Sequence, residues 1–240
     1  MKKIMMRLAV PALALALALG CGLFAGCAPE KTQEGDAPWM EDGVLKILTI
    51  GNSFSDDTME YVWNIADSLG VEDIYLGNLY IGGCTLDTHA FNARGNYTAY
   101  DYRVNTEGTW ETERARMGDA LAAQEWDFVS LQQASGSSGM PDTYGELDYL
   151  LGYIAEKAPS AKIVWNMTWA YQQNSNHWDF PKYQNDQQTM YNKIVQTVQD
   201  LIVPNEKIAA VIPNGTAIQN ARTSYVGDTL TRDGYHLTLD

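Results

Sequence analysis

Short apolar segments alternate with helical patterns along most of this chain, and this alternation restricts its fold more than any other feature. Strand patterns cover residues 45–50, 74–80, 128–132, 162–168 and 208–213. Between them, apolar residues recur at helical spacing. The order predicts a single α/β domain, a three-layer α/β/α sandwich whose central parallel sheet has about five strands.

Two parts of this pattern need separate predictions. The first helix is predicted to begin at Asp57, which can cap it while Glu60 completes a capping box, and to end at Gly70. Residues 91–114 have no clear period and are predicted to form an insertion that contains a hairpin.

The N-terminal segment has the composition of an export signal. Residues 1–26 combine a basic start with an apolar run, and the sequence from Leu23 to Cys27 resembles a bacterial lipoprotein box. We therefore predict a lipoprotein signal peptide over 1–26, lipidation of Cys27 and a flexible tether over 27–43. The domain would follow over 44–240, exported and anchored to the bacterial cell envelope, with the membrane as a partner through Cys27. An ordinary secretory signal or an uncleaved anchor is the alternative.

Composition narrows the possible partners and the redox chemistry. The net charge is −14, which argues against nucleic acid as a partner because phosphate contacts need a basic face. The same charge disfavours polyanionic substrates. Once the signal is removed and Cys27 is acylated, Cys84 is the remaining cysteine, so no intrachain disulfide is predicted.

A serine and a histidine at opposite ends of the domain could act as a catalytic pair. Ser53 follows the first strand in a Gly-Asn-Ser turn, at the edge where open parallel sheets bind ligands. Serine becomes nucleophilic when a base takes its proton and a third group orients that base. His236 and Asp233, separated by two residues, could supply the base and the orienting carboxylate. We predict that these three residues are catalytic, with Ser55 as a rival nucleophile.

Acyl transfer also needs hydrogen-bond donors that stabilise an oxyanion. The backbone N–H groups of Ser53 and Gly83 can supply two, since a glycine lets the main chain approach a ligand closely. A third donor could come from the end of the third strand, where Gln132 and Gln133 both carry amide side chains.

Four short motifs, in this order, carry a resemblance to a known family. They are Gly51-Asn52-Ser53, Gly82-Gly83 after the second strand, Leu131-Gln132-Gln133 at the end of the third, and Asp233-Gly234-Tyr235-His236 near the end of the chain. With them the chain resembles the SGNH, or GDSL, hydrolase superfamily, in particular a bacterial lipoprotein subfamily whose first block is Gly-Asn-Ser-Phe-Ser. The resemblance implies a flavodoxin-like fold and serine-dependent ester hydrolysis without a metal or an organic cofactor.

The chain departs from the superfamily pattern in three places. Asn52 stands where an aspartate is usual. No Gly-x-Asn-Asp block follows the third strand, so the resemblance implies Gln132 as the third oxyanion donor, with Gln133 as the second choice, since both carry the amide that the asparagine would provide. The chain stops at Asp240, so we expect the terminal helix that packs beside the histidine loop in the superfamily to be missing.

Other reactive side chains have weaker signals. His177 and Asp179 are too few to form a metal site, and no metal is predicted. Cys84 has no basic neighbour in sequence and is predicted to be a small packing residue, and His89 is predicted to lie at the surface.

The loops are rich in aromatic and amide side chains, which suit stacking on sugar rings and hydrogen bonding to hydroxyl groups. The set comprises Tyr97, Tyr100, Tyr102, Trp110, Trp169, Tyr171, Gln172, Gln173, Asn174, Asn176 and Trp178. Substrate contacts are predicted for Trp169, Tyr171 and the turn residue Asn52.

These observations favour a serine esterase that removes O-acetyl or other short acyl groups from carbohydrate, with a small-molecule or glycan ester as its partner. The alternative is a non-catalytic glycan-binding surface lipoprotein on a degenerate or truncated fold of the same type. A phosphate or nucleotide binder is disfavoured, because the turn after the first strand lacks the glycines and lysine of phosphate-binding loops.

Overall fold

The computed structural model of the chain describes residues 43–71 and 73–238. The predicted signal peptide, Cys27 and the tether up to residue 42 lie outside this part and stay predictions. In the part that is described, no helix is long and apolar enough to cross a membrane.

A seven-stranded mixed sheet forms the centre of the domain. Its strands are β1 (Val44–Gly51), β2 (Asp73–Tyr80), β3 (Tyr100–Asn105), β4 (Trp110–Ala115), β5 (Phe128–Leu131), β6 (Lys162–Asn166) and β7 (Ala210–Ile212). Their spatial order is β4-β3-β2-β1-β5-β6-β7. β1, β2, β5, β6 and β7 pair in parallel, and β3 and β4 form an antiparallel hairpin on the β2 edge. The predicted parallel sheet of five strands and the hairpin in the insertion are both confirmed.

The parallel strands have the flavodoxin-like order, in which the second strand lies on one side of the first and the later strands on the other. The direction of winding therefore reverses beside β1. Sheets of this kind open a crevice at the carboxyl ends of the strands at that point. Ser53 comes two residues after the end of β1, so the topology alone brings it to the crevice.

Side chains alternate along each strand, so the two faces of the sheet bury separate clusters. Leu48 and Ile50 of β1 belong to the larger cluster. Ile74 and Leu76 of β2 belong to the smaller one. Helices cover both faces, which confirms the three-layer sandwich.

Seven α-helices flank the sheet in the described residues. They are α1 (Ser53–Met59), α2 (Val62–Ser68), α3 (Leu86–Gly95), α4 (Met117–Ala122), α5 (Leu147–Lys157), α6 (Gln187–Thr197) and α7 (Asn214–Arg222). α3, α4 and α5 pack on one another over the larger cluster, whereas Met59 and Ala66 from α1 and α2 complete the smaller one.

α1 begins four residues earlier than the sequence pattern predicts. Its N-cap is Asn52, whose side-chain Oδ1 accepts a hydrogen bond of 3.0 Å from the backbone N–H of Phe54. The predicted cap at Asp57 is wrong, because an asparagine placed directly after the strand already satisfies the first turn. Ser53 is consequently the first residue of a helix.

Two helices, α3 and α7, have no counterpart in the sequence prediction. α3 turns the polar side chains of His89 and Asn92 toward the core beside Leu86 and Ala90, which hides its apolar stripe. His89, predicted at the surface, is fully buried, with its Nδ1 3.0 Å from the hydroxyl of Tyr100.

Candidate active site

The structure brings Ser53, His236 and Asp233 together in one chain of hydrogen bonds. Ser53 Oγ lies 2.7 Å from His236 Nε2. His236 Nδ1 lies 2.6 Å from Asp233 Oδ2. A carboxylate can only accept, so the imidazole proton sits on Nδ1 and leaves Nε2 to accept from the serine hydroxyl.

Asp233 is held by its own turn. Its Oδ1 accepts hydrogen bonds from the backbone N–H groups of Tyr235 (3.2 Å) and His236 (2.8 Å). Partial burial opposes ionisation of this carboxyl, but the backbone and ring donors of His236, together with the Tyr235 N–H, outweigh it and hold the pKa of Asp233 below its ordinary value. Asp233 is therefore ionised at neutral pH.

The loop that carries His236, here called the histidine loop, is anchored to α1 by Asp57. The nearly buried carboxylate of Asp57 accepts from the backbone N–H of Leu237 at 2.8 Å and from both terminal nitrogens of Arg232, at 3.1 and 3.2 Å. Arg232 N–H also donates to His236 O at 2.9 Å. His236 is thus fixed from residues on both sides of it and from the helix that begins with Ser53.

Two backbone N–H groups at the site have no protein acceptor among the described residues. Gly83 turns the chain at φ +63°, a conformation that glycine adopts without strain, and the space beside its Cα is open. Ser53 occupies the first position of α1, whose N–H has no partner within the helix. Both residues line the same cleft.

The two glutamines predicted as a third donor are engaged elsewhere. Gln132 donates from Nε2 to Asn52 Oδ1 (2.9 Å) and accepts at Oε1 from Asn166 (2.7 Å). Gln133 Nε2 donates to the backbone oxygen of Thr143 at 2.9 Å. Both side chains are buried and neither lines the cleft. The prediction of a glutamine donor to the oxyanion is therefore corrected, because these amides join loops beneath the cleft.

Asn52 lines the cleft, but both polar atoms of its side chain are hydrogen-bonded inside the protein. Its Oδ1 caps α1 and accepts from Gln132, and its Nδ2 donates to Cys84 O at 3.1 Å. The predicted substrate contact is replaced by a structural one. Asn52 ties the turn that carries Ser53 to the segments that follow β2 and β5.

Trp169 and Tyr171, also predicted to contact substrate, are buried and do not line the cleft. Trp169 stacks on Phe54 with ring centres 4.2 Å apart and donates from Nε1 to Tyr235 O at 2.7 Å. The Tyr171 hydroxyl lies 2.9 Å from Ser135 Oγ. These rings support the walls of the site, because the loop that carries them folds inward beneath the histidine loop.

A cleft of about 250 Å³ lies over Ser53 and His236. Sequence analysis did not assign site roles to four residues in its walls. They are Tyr80 at the end of β2, Ser135 after β5, and His177 and Trp178 after β6. The aromatic character of the loop after β6 was the available signal, but sequence alone does not indicate which of its rings face outward.

Ser55 and Cys84, the other side chains near Ser53 that could act as nucleophiles, are buried. Ser55 is buried, donates to Asn52 O at 2.7 Å and lies 3.0 Å from Asn78 Oδ1, so it has no access to a substrate. Cys84 is a buried packing residue, as predicted, and burial raises the pKa of its thiol to about 12. In the described residues, no group of three or more His, Cys, Asp or Glu side chains is arranged to hold a metal ion.

The fold of this chain is also found in a solved structure. A protein from Parabacteroides merdae ATCC 43184 assigned as a GDSL-like lipase matches with a TM-score of 0.51 at 15% identity, over 81% of this chain and 88% of that chain. This likeness concerns the fold alone, a three-layer α/β/α sandwich. No curated protein is significantly similar to the chain.

Residues 46–240 match the family model DUF4886, a domain of unknown function, and the chain belongs to this family. A DUF4886 family protein from Bacteroides uniformis ATCC 8492 is 42% identical, with a TM-score of 0.78, over 82% of this chain and 77% of that chain.

Proposed function

We propose that this chain is a serine esterase in which Ser53 is the nucleophile, His236 the general base and Asp233 the group that orients the imidazole. The observation that carries the proposal is the unbroken chain of short hydrogen bonds from Asp233 through His236 to Ser53. Ser53 and His236, which are 183 positions apart in sequence, line one cleft in the relation that nucleophilic catalysis requires.

In the proposed reaction, Ser53 Oγ attacks the ester carbonyl while His236 Nε2 takes the hydroxyl proton. The N–H groups of Ser53 and Gly83 donate to the oxyanion of the tetrahedral intermediate. His236 then gives the proton to the leaving alcohol, and the acyl group stays on Ser53. Water, deprotonated by His236, attacks the acyl-enzyme and releases the acid, which restores the free serine.

The proposed substrate is a carbohydrate ester with a short acyl group, most simply O-acetyl. The cleft of about 250 Å³ lies below the roughly 300–1,000 Å³ of pockets that enclose drug-sized ligands, which favours a small acyl group over a long chain. No Lys or Arg is among the described residues that line the cleft, and the lining residue Asp179 pairs with Lys182 at 2.5 Å. A neutral leaving group suits such a site better than an anionic one.

The test is covalent labelling of the purified full chain with a fluorophosphonate, followed by peptide mass spectrometry. Labelling is expected at Ser53, and it should be lost in Ser53→Ala and strongly slowed in His236→Ala. Ser55→Ala is the matched control and should still be labelled. A folded wild-type chain that stays unlabelled would refute the esterase and favour a non-catalytic glycan-binding protein.

We also propose that the chain is exported and anchored to the cell envelope by lipid on Cys27. The support is the basic and apolar composition of residues 1–26 and the lipoprotein-like sequence that ends at Cys27. Cells expressing the chain should incorporate radiolabelled palmitate into it, and Cys27→Ser should abolish incorporation. Equal incorporation in both chains, or none in the wild type, would exclude this anchor.

A further inference from the structure

Trp178 is the most exposed large ring at the cleft. Its side chain is 79% exposed, although an indole gains much from burial. One face is covered by His177, whose ring centre lies 4.1 Å away at an interplanar angle of 27°. The other face is open to solvent at the rim of the cleft that contains Ser53.

The ring beneath Trp178 is fixed in place. His177 is 9% exposed and packs edge-on against Tyr235 with ring centres 4.6 Å apart, and against Tyr171 at 4.5 Å. The backbone N–H of Asp179 donates to His177 Nδ1 at 3.1 Å. Trp178 therefore rests on a rigid support, so holding it in place for a ligand costs little conformational entropy.

The hydrogen bond from Asp179 also sets the tautomer of His177. Because Nδ1 accepts, the proton of the neutral ring is on Nε2. Burial lowers the pKa of His177, against the opposing charge of Asp179, so the ring is neutral at neutral pH. Nε2 has no hydrogen-bond acceptor among the described residues, and unlike the Nε2 of His89 it is not sealed from solvent. A residue that lines the cleft beside the indole thus keeps one N–H donor without a protein acceptor in the described part of the chain.

Building on the proposed esterase, we infer that Trp178 and His177 form a subsite for the sugar ring of the leaving alcohol. The indole face stacks on the C–H face of the pyranose, and His177 Nε2–H donates to a ring hydroxyl or to a neighbouring acyl oxygen. A flat apolar surface with one fixed neutral donor suits a neutral sugar, which presents both an apolar face and hydrogen-bond acceptors. Aliphatic alcohols offer no comparable face, so the subsite confers selectivity for carbohydrate esters.

The first arm of the test measures acetate release from methyl glucopyranoside tetraacetate and from ethyl acetate by the full chain. Trp178→Ala and His177→Phe should each lower kcat/KM for the glucoside ester by about tenfold. Both should lower kcat/KM for ethyl acetate by a clearly smaller factor, so that the preference for the glucoside ester falls. Phe91→Ala, which removes an exposed ring of α3 outside the cleft, is the control and should change neither. Parallel losses on both esters, or no loss on the glucoside ester, would overturn the inference.

The second arm separates this inference from the esterase proposal. Calorimetric titration of Ser53→Ala with the same acetylated glucoside measures binding without turnover. Adding Trp178→Ala should weaken binding by about tenfold, whereas adding Phe91→Ala should not. If the wild type released no acetate, the esterase would fail while a Trp178-dependent titration would still support the subsite. Hydrolysis of ethyl acetate together with no Trp178-dependent binding would overturn the subsite alone.

Discussion

Ser53→Ala is expected to lower kcat for hydrolysis of an acetate ester by about 10⁴- to 10⁶-fold, the loss that accompanies removal of a nucleophile that acts with its base as one unit. KM should change little, because the methylene of Ser53 and the open N–H of Gly83 stay in place. Acetate release measured under saturating ester, with the fold checked by circular dichroism, gives the comparison.

His236→Ala should cause a loss of similar size, since among the described residues the imidazole supplies the hydrogen-bond acceptor of the serine hydroxyl. The double variant should be no slower than either single variant, because residues that work as a unit are not additive. Ser55→Ala is the matched control. It removes a buried hydrogen bond and should cost stability by about 1–3 kcal/mol while leaving kcat within a few-fold. A large loss of kcat in Ser55→Ala with full activity in Ser53→Ala would contradict the assignment of the nucleophile.

The parallel sheet could be predicted from its strand patterns, and the candidate site could be predicted from two short motifs. Strands such as β1 are rich in apolar residues, several of which are buried, and the order of the strands leaves few allowed topologies. The turn at Ser53 and the loop at His236 are both short motifs whose geometry is set within four residues. The turn and the loop then meet at the edge of the sheet where the parallel strands have their carboxyl ends.

The roles of Asp57 and Gln132 could not be predicted because they depend on distant partners. Asp57 has the spacing of a helix cap, yet its carboxylate serves Arg232 and Leu237, about 180 residues away. Gln132 resembles an oxyanion donor, yet it bridges Asn52 and Asn166. Local spacing indicates what a polar side chain could do, whereas long-range packing decides which partner it meets.

In the loop after β6, the sequence likewise does not indicate which aromatic side chains are buried. Gln172 N–H donates to Gly234 O at 2.8 Å, and Trp169 donates to Tyr235 O. These contacts with the histidine loop turn Trp169 inward and leave Trp178 facing the cleft. Trp169 has Thr168 and Ala170 as neighbours and Trp178 has His177 and Asp179, and no regular period in this loop indicates which ring is buried.

Asp233→Asn is expected to lower kcat by about 10²- to 10⁴-fold while the geometry of the loop persists. The amide oxygen can keep the hydrogen bonds from the backbone N–H groups of Tyr235 and His236. The amide nitrogen then faces His236 Nδ1 as a donor, which forces the imidazole proton onto Nε2. With that tautomer His236 cannot accept the proton of Ser53, so the nucleophile stays inactive. A kcat within threefold of wild type would show that Asp233 does not orient the base.

The same variant has an expected signature in stability against pH. The folded-state pKa of Asp233 lies below its ordinary value of 3.8, so ionised Asp233 stabilises the fold above pH 3.8. That contribution disappears as the pH falls through the folded-state pKa. Thermal unfolding of wild type and Asp233→Asn should therefore differ at pH 5 to 7 and converge in stronger acid. A difference that stays constant down to pH 2 would mean that the carboxylate is not held ionised by His236 and Tyr235, and the hydrogen-bond chain to Ser53 would lose its anchor.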